Sequence, residues 1–211
     1  AQLNRWVDRG IAEPSFAEAV DLVMDNPDWL DLSDVDVAVM GAGAEMGPTR
    51  SLLRWGARVH AVDLPRPALW QRLLDTTRVT AGTLHLPIQQ GTMPSKWRDG
   101  YRLNLDDDAQ AAALAGADLL GKAPQVRDWF ARIQRPMVVG NYTYADGVTH
   151  VRLSVAADAI MTDLAQRFLG STMAYLATPT DVFMVPEEAV IESRRRWQHR
   201  GAGRMLQAPL R

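Results

Sequence analysis

"VDVAVMGAGAEMGPTRSLLRWGARVHAVDL", residues 35–64, is the stretch whose reading decides the fold. Two short apolar runs, "VDVAVM" (35–40) and "ARVHAVDL" (57–64), flank a glycine-rich turn and the helical segment "TRSLLRW". The pattern is one β-α-β unit of about 30 residues. Gly41 stands where the chain must leave the first strand sharply. Gly43 lets the backbone come close to a ligand, and Gly47 lies where the helix begins. Pro48 can occupy a first helical turn without removing a needed donor. The free N–H groups and positive dipole end of the following helix suit a pyrophosphate. Asp63 ends the second strand 22 residues after Gly41, about the distance at which an acid reaches an adenosine ribose. The bland alternative, a strand-to-helix turn with no ligand, must explain glycines, helix, second strand and terminal acid all arriving together.

Working outward, "PSFAEAVDLVMDNPDWL" places Phe16, Ala19, Val20 and Val23 at helical spacing until Asn26-Pro27 stops the pattern, within a helical N-terminal segment, 1–34. After the β-α-β unit, "RPALWQRLLDTTR" predicts a helix with Leu69, Leu73 and Leu74 on one face, and "GTLHLPI" (82–88) a third strand. Residues 89–108 mix Gly, Pro and charges without a period and read as a surface excursion of the kind often used as a lid. Helical pattern resumes through "AQAAALAGADLL" and "APQVRDWFARIQ". "RPMVVGNYTY" (135–144) is a fourth strand. "VTHVRLSVAADAIMTDLAQRF" is a helix with Val151, Val155, Ala159 and Leu164 near helical spacing, and "STMAYLATPTD" (171–181) is a fifth strand. Strand and helix alternate throughout, so the expectation is an α/β domain with a doubly wound parallel sheet in the order 3-2-1-4-5.

Composition narrows the function classes. The 211 residues suit a single nucleotide-binding domain, 47% of them are apolar, and the net charge is -2, which disfavours disorder and a general nucleic-acid surface. With no cysteine and four histidines at 60, 85, 150 and 199, no metal site is expected. No apolar run is long enough to span a membrane and the start lacks a secretory layout, so the default location is cytoplasmic. The missing initial methionine, and the end at "GRMLQAPLR" without a closing element, raise the expectation that the chain is part of something longer. The basic C-terminal segment, 186–211, with "ESRRRWQHRGAGR", reads as a solvated helix face compatible with a homo-oligomer rather than as an anion-binding arm. The acids of "LDDDAQ" read as favouring the positive end of the helix they precede rather than as a cation site.

The stretch 35–64 resembles the nucleotide-binding half of NAD(P)-dependent Rossmann proteins, most nearly the short-chain dehydrogenase/reductase type. The motif covers roughly residues 35–66, the strand order 35–181. The resemblance implies that Gly41, Gly43 and Gly47 line a pyrophosphate, that Asp63 holds a ribose, and that Asn141 lies near the nicotinamide. Met46, where the commonest fingerprint has its third glycine, belongs to the same cofactor-binding loop. NAD is slightly favoured over NADP, because a 2′-phosphate would meet the charge of Asp63, although Arg66 is nearby. The implied activity is an atypical NAD(P)-dependent oxidoreductase acting on a small organic substrate.

One departure is plain: that family uses a Tyr-x-x-x-Lys pair, and here the only lysines, Lys96 and Lys122, have no tyrosine four residues before them. Candidate catalytic groups are sought instead at the strand ends, where "GNYTYADGVTH" gathers Asn141, Tyr142, Tyr144, Asp146 and His150. Tyr142 or Tyr144 could protonate a carbonyl oxygen and His150 could relay the proton, while Thr178 and Thr180 could support a substrate. Two other functions stay open. The second strand and its acid would equally grip the ribose of S-adenosylmethionine in a methyltransferase, although Val39 stands where those enzymes usually carry an acid. A non-catalytic dinucleotide sensor or scaffold would need no acid at all.

Overall fold

The computed structural model describes residues 2–88, 107–176 and 187–198. Among them five strands, β1 (Asp36–Met40), β2 (Arg58–Val62), β3 (Thr83–His85), β4 (Val138–Asn141) and β5 (Thr172–Tyr175), form one all-parallel sheet in the order β3-β2-β1-β4-β5. This is the doubly wound, Rossmann-like order expected from the alternation of strands and helices. The helices in chain order are α1 (Gln2–Asp8), α2 (Pro14–Asp25), α3 (Thr49–Arg54), α4 (Pro67–Arg78), α5 (Asp108–Leu114), α6 (Leu119–Ala131), α7 (Gly147–Arg167) and α8 (Glu187–Gln198). Two compact units contain them: one holds α1, α2 and α8, the other, within Leu30–Leu176, holds the sheet and α3 to α7.

β1 is the centre of the sheet because all five of its residues are buried, as a strand covered on both faces requires. Alternation sends Val37 and Val39 to one face, where Leu53, Trp70, Leu73 and Ala112 of α3, α4 and α5 pack on them. Ala38 and Met40 go to the other face and meet Val126 and Phe130 of α6 and Ala157, Ile160 and Leu164 of α7. A change of one residue in register would reverse every one of these contacts. Trp70 and Phe130 are the largest wholly buried side chains, one anchoring each layer.

Several boundaries and faces differ from the sequence expectation. β1 ends at Met40 as expected, whereas β2 stops at Val62 and β4 at Asn141, short of the expected Leu64 and Tyr144, because the backbone beyond them leaves the ladder to make loops. Asp107 and Asp108, the last residues of the expected excursion, instead begin α5: the Asp107 carboxylate accepts from the Ala109 and Gln110 N–H groups as an N-cap. The rest of that excursion, with Thr178 and Thr180, lies outside the described residues. On α2 the expected inward residues Phe16 and Val23 are exposed and Ala17 is the buried one. On α7, Val151 and Val155 are exposed, and Ala157, Ile160, Met161 and Leu164 face the core. In each case the helix carries two apolar stripes, and periodicity alone does not say which one the protein covers.

Candidate functional site

Local geometry at the carboxyl end of β1 begins with Gly41. Its φ of +79° lies in the left-handed region, and a Cβ there would come within 2.7 Å of the Tyr142 carbonyl carbon and oxygen. Both features make glycine necessary. The loops after β1 and β4 therefore touch, with the Tyr142 N–H donating to the Met40 carbonyl at 2.8 Å. This is the switch point of the sheet, where strand order reverses and open α/β sheets form their ligand crevice.

The glycine loop is braced from within. Gly41 and Ala42 N–H both donate to the Val62 carbonyl, Ala44 N–H to the Gly41 carbonyl and Gly47 N–H to the Ala44 carbonyl. Thr49, buried at the start of α3, donates its hydroxyl to the Ala42 carbonyl at 2.8 Å. Asp63 closes the set: one carboxylate oxygen accepts from Gly43 N–H at 2.8 Å and the other from Leu64 N–H at 2.7 Å. The acid at the end of β2 is thus held against the glycine loop, only partly buried, with lone pairs left over on both oxygens.

Beside this loop a cavity of about 310 Å³ is lined by Gly43, Glu45, Thr49, Arg50, Leu69 and Arg72 among others. It sits at the small end of ligand cavities, which run from roughly 300 to 1,000 Å³. A Cβ on Gly43 would come within 2.6 Å of the Leu69 side chain that walls the cavity. Since the N–H groups from Gly41 to Ala44 already have acceptors, an anion here would rely on those of Glu45 and the first turn of α3, with the Arg50 and Arg72 guanidinium groups. Helix α3 has only six residues, so its dipole contributes less than the sequence reading supposed. Met46 is 80% exposed and does not line the cavity. Arg50, Arg72 and Thr49 escaped the sequence reading. A sequence signal for Arg72 did exist, because it follows Leu69 by one helical turn on α4.

The loop after β4 separates the candidate catalytic residues. Asn141 Oδ1 accepts from the N–H and hydroxyl of Thr143 in a local turn. The ring of Tyr142 folds back over Gly140, whose Cβ would lie 2.5 Å from it, and packs on the α3–α5 side of the core. Burial raises the Tyr142 pKa above its usual value, which makes the hydroxyl a weaker acid. Tyr144 is exposed, donates its hydroxyl to Asp146 at 3.2 Å, and has its ring 5.7 Å from that of His150. Tyr144, Asp146 and His150 thus form one surface group, and Tyr142 is not part of it.

A second ionisable cluster lies at the opposite, amino end of the strands. Asp36, the first residue of β1, is buried with His60 at 2.9 Å, Arg58 at 3.1 Å and Arg135 at 2.5 Å. Its pKa is lowered to about 2: burial opposes ionisation, and hydrogen bonds from Arg58, His60 and Arg135 outweigh it. His60 stacks on His85 with centroids 4.3 Å apart and planes 6° from parallel, and the edge of Trp129 closes the group. Among the described residues no cluster of three or more metal-ligating side chains is present, and no helix is long and apolar enough to cross a membrane. Comparisons with models of known protein families, with curated proteins and with solved structures returned no match.

Proposed function

We propose that the chain binds NAD(H) or NADP(H) through the glycine loop and Asp63, as an atypical oxidoreductase acting on a small organic substrate. The observation that carries this reading is the Asp63 carboxylate held on Gly43 N–H, at the rim of a loop that opens on a cavity. A ribose hydroxyl placed there can donate to either carboxylate oxygen without disturbing the bonds to Gly43 and Leu64. The chain's residues fit the adenosine and phosphate half of a dinucleotide: Asp63 for the ribose, Gly43 for close approach, and Arg50 with Arg72 for phosphate charge. When bound, the nicotinamide would supply hydride transfer. Tyr144 is the better proton donor of the two candidate tyrosines, because the residue is exposed, its hydroxyl meets Asp146 and its ring lies beside that of His150.

Titration of the full chain with NADH, NADPH and S-adenosylmethionine, followed by fluorescence or calorimetry, tests the reading. The expected outcome is binding of a nicotinamide cofactor, NADH the tighter. Asp63→Asn keeps an acceptor for Gly43 but removes the charge. Loss of a charge-assisted ribose bond of about 1.5–3 kcal/mol then predicts roughly 10- to 100-fold weaker NADH binding. Binding of S-adenosylmethionine with neither nicotinamide cofactor would replace this reading by a methyltransferase. Cofactor binding without turnover on a panel of carbonyl substrates would replace it by a sensor.

A further inference from the structure

The edge of the sheet carries a pair of titratable rings that cofactor binding does not use. β3 has three residues, is paired to β2 alone among the described strands, and leaves Thr83 and His85 exposed. His85, its last residue, lays its imidazole flat on that of His60, with centroids 4.3 Å apart and planes 6° from parallel. Facing the pair are Asp36 of β1, Arg58 of β2, Arg135 from the turn before β4 and the edge of Trp129 of α6, while Asp34 stands 4.0 Å from Arg58. Two carboxylates balance two guanidinium groups, so none is left over for a pair of imidazolium rings. Beyond β3 the chain is tied to the candidate site. The Pro87 carbonyl accepts from Gly116 N–H at 2.9 Å, Ile88 bridges to Ala115, and Ala117 N–H donates to the Asp63 carbonyl at 2.9 Å. A Cβ on Gly116 would come within 2.9 Å of the Leu64 carbonyl oxygen, so this strap lies hard against the loop after β2. Residues 115–117 thus join the end of β3 to the acid that holds Gly43.

We propose that β3 is an acid-operated latch: when both stacked histidines take up protons the strand releases, residues 115–117 slacken, and nucleotide binding at Asp63 weakens. The effect on the nucleotide rests on the cofactor reading above, whereas the release of β3 does not. Histidine gains its charge in the range just below neutral pH, and two like charges face to face at 4.3 Å repel strongly where water is partly excluded. The linkage has the same sign. Burial is the chief cause that lowers both histidine pKa values in the docked strand. An open β3 frees both rings and takes up protons first, so docking loses strength as pH falls below the ordinary histidine value of about 6.5. Little else holds the strand: Leu84 and Leu86 are half-buried against the α3–α5 layer, and β3 has no fully buried residue. Local opening of such an element takes less free energy than unfolding the sheet. Protons and nucleotide then bias one two-state element, the docked or released strand, which is what coupling between them requires.

Hydrogen exchange of the full chain at about pH 7.5 and about pH 5.5, corrected for the intrinsic effect of pH, reads the release. The amides of Thr83, bonded to the Ala57 carbonyl, and of Gly116 are expected to lose about tenfold or more of their protection at the acid pH. Their exchange there should not change in low urea, whereas that of the wholly buried strand β1 should follow global unfolding. His85→Gln keeps a planar group at this exposed edge but takes no proton, and should shrink the acid loss at least about threefold. NADH titrations at the same two pH values read the coupling: binding should be about fivefold or more weaker at the acid pH in the wild type, and less than about twofold weaker in the variant. Protection of Thr83 that does not fall with pH, that follows urea in step with β1, or that falls equally in His85→Gln would overturn the latch. Release of β3 with equal NADH affinity at both pH values would overturn the coupling. Absence of NADH binding at either pH would overturn the cofactor reading and the coupling with it, and the exchange data would still decide the release.

Discussion

Gly41 and Gly43 are neighbouring glycines of one loop with different reasons for being glycine, and single substitutions separate them. At Gly41 the backbone is left-handed and the space is filled by the main chain of Tyr142 and Thr143. Strain and overpacking together predict that Gly41→Ala loses at least about 2 kcal/mol of stability in urea titration. At Gly43 the obstacle is the flexible end of Leu69, so Gly43→Ala is expected to fold with nearly normal stability but to narrow the cavity and weaken NADH binding. Equal stability losses in the two variants would contradict this distinction. For the proton donor, Tyr144→Phe removes only a hydroxyl that touches Asp146, and a general-acid role predicts a rate loss of about 10²–10⁴-fold with cofactor binding intact. Tyr142→Phe should leave the rate nearly unchanged. The glycines and Asp63 were legible because their chemistry is tied to position in a β-α-β unit. The division of labour between Tyr142 and Tyr144 was not, because it depends on the ring of Tyr142 folding back over Gly140, and strand alternation does not reach past Asn141.

At the scale of the element, the amino ends of β1 and β2 gather paired charges of both signs on one sheet face. Asp36, Arg58 and His60 stand on one sheet face because β1 and β2 pair Asp36 with Arg58 and Ala38 with His60. His85 comes level with His60 through the β2–β3 pairing, Arg135 enters from the turn before β4, and Asp34 lies 4.0 Å from Arg58. The His60 pKa is lowered chiefly by burial, partly opposed by its bond to Asp36 and reinforced by the nearby Arg135 and Arg58. The His85 pKa is lowered by burial and by its neighbour His60. A lowered folded pKa means that the unfolded chain takes up protons first, so stability falls as pH drops below the ordinary histidine value of about 6.5. A second fall is expected below the ordinary carboxylate value of 3.8, as the pH approaches the Asp36 value of about 2. Urea titrations at about pH 7.5 and about pH 5.5, on either side of that histidine value, should show lower stability at the acid end, and His60→Gln should flatten the difference. A steeper dependence in the variant would show that burial does not govern this histidine. The cluster was illegible in the sequence for a physical reason: Asp36 and His60 are 24 residues apart, and only the strand register makes them neighbours.

For the whole molecule, the order of strands could be read because alternating periodicity and the right-handed crossover leave few alternatives. The covered face of each helix could not, because α2 and α7 each carry more than one apolar stripe and the choice belongs to tertiary packing. The sequence sets off 1–34 and the basic 186–211 as segments, but that the two ends of the chain belong to one unit depends on contacts between residues far apart in sequence. The division into two units gives the cofactor reading a consequence beyond the site itself. Every residue assigned to the nucleotide lies within Leu30–Leu176, and none lies in α1, α2 or α8. A ligand that binds only the folded form stabilises it by about 2.7 kcal/mol at one hundred times its dissociation constant. For a unit of this size that corresponds to a rise in melting temperature of roughly 5–10 °C. Saturating NADH should therefore raise the melting transition of the sheet unit and slow amide exchange at Gly41–Gly47 and at Asp63. Exchange in α1, α2 and α8 should stay unchanged. Protection confined to those three helices, with the glycine loop unaffected, would place the nucleotide elsewhere and remove Asp63 from its proposed role.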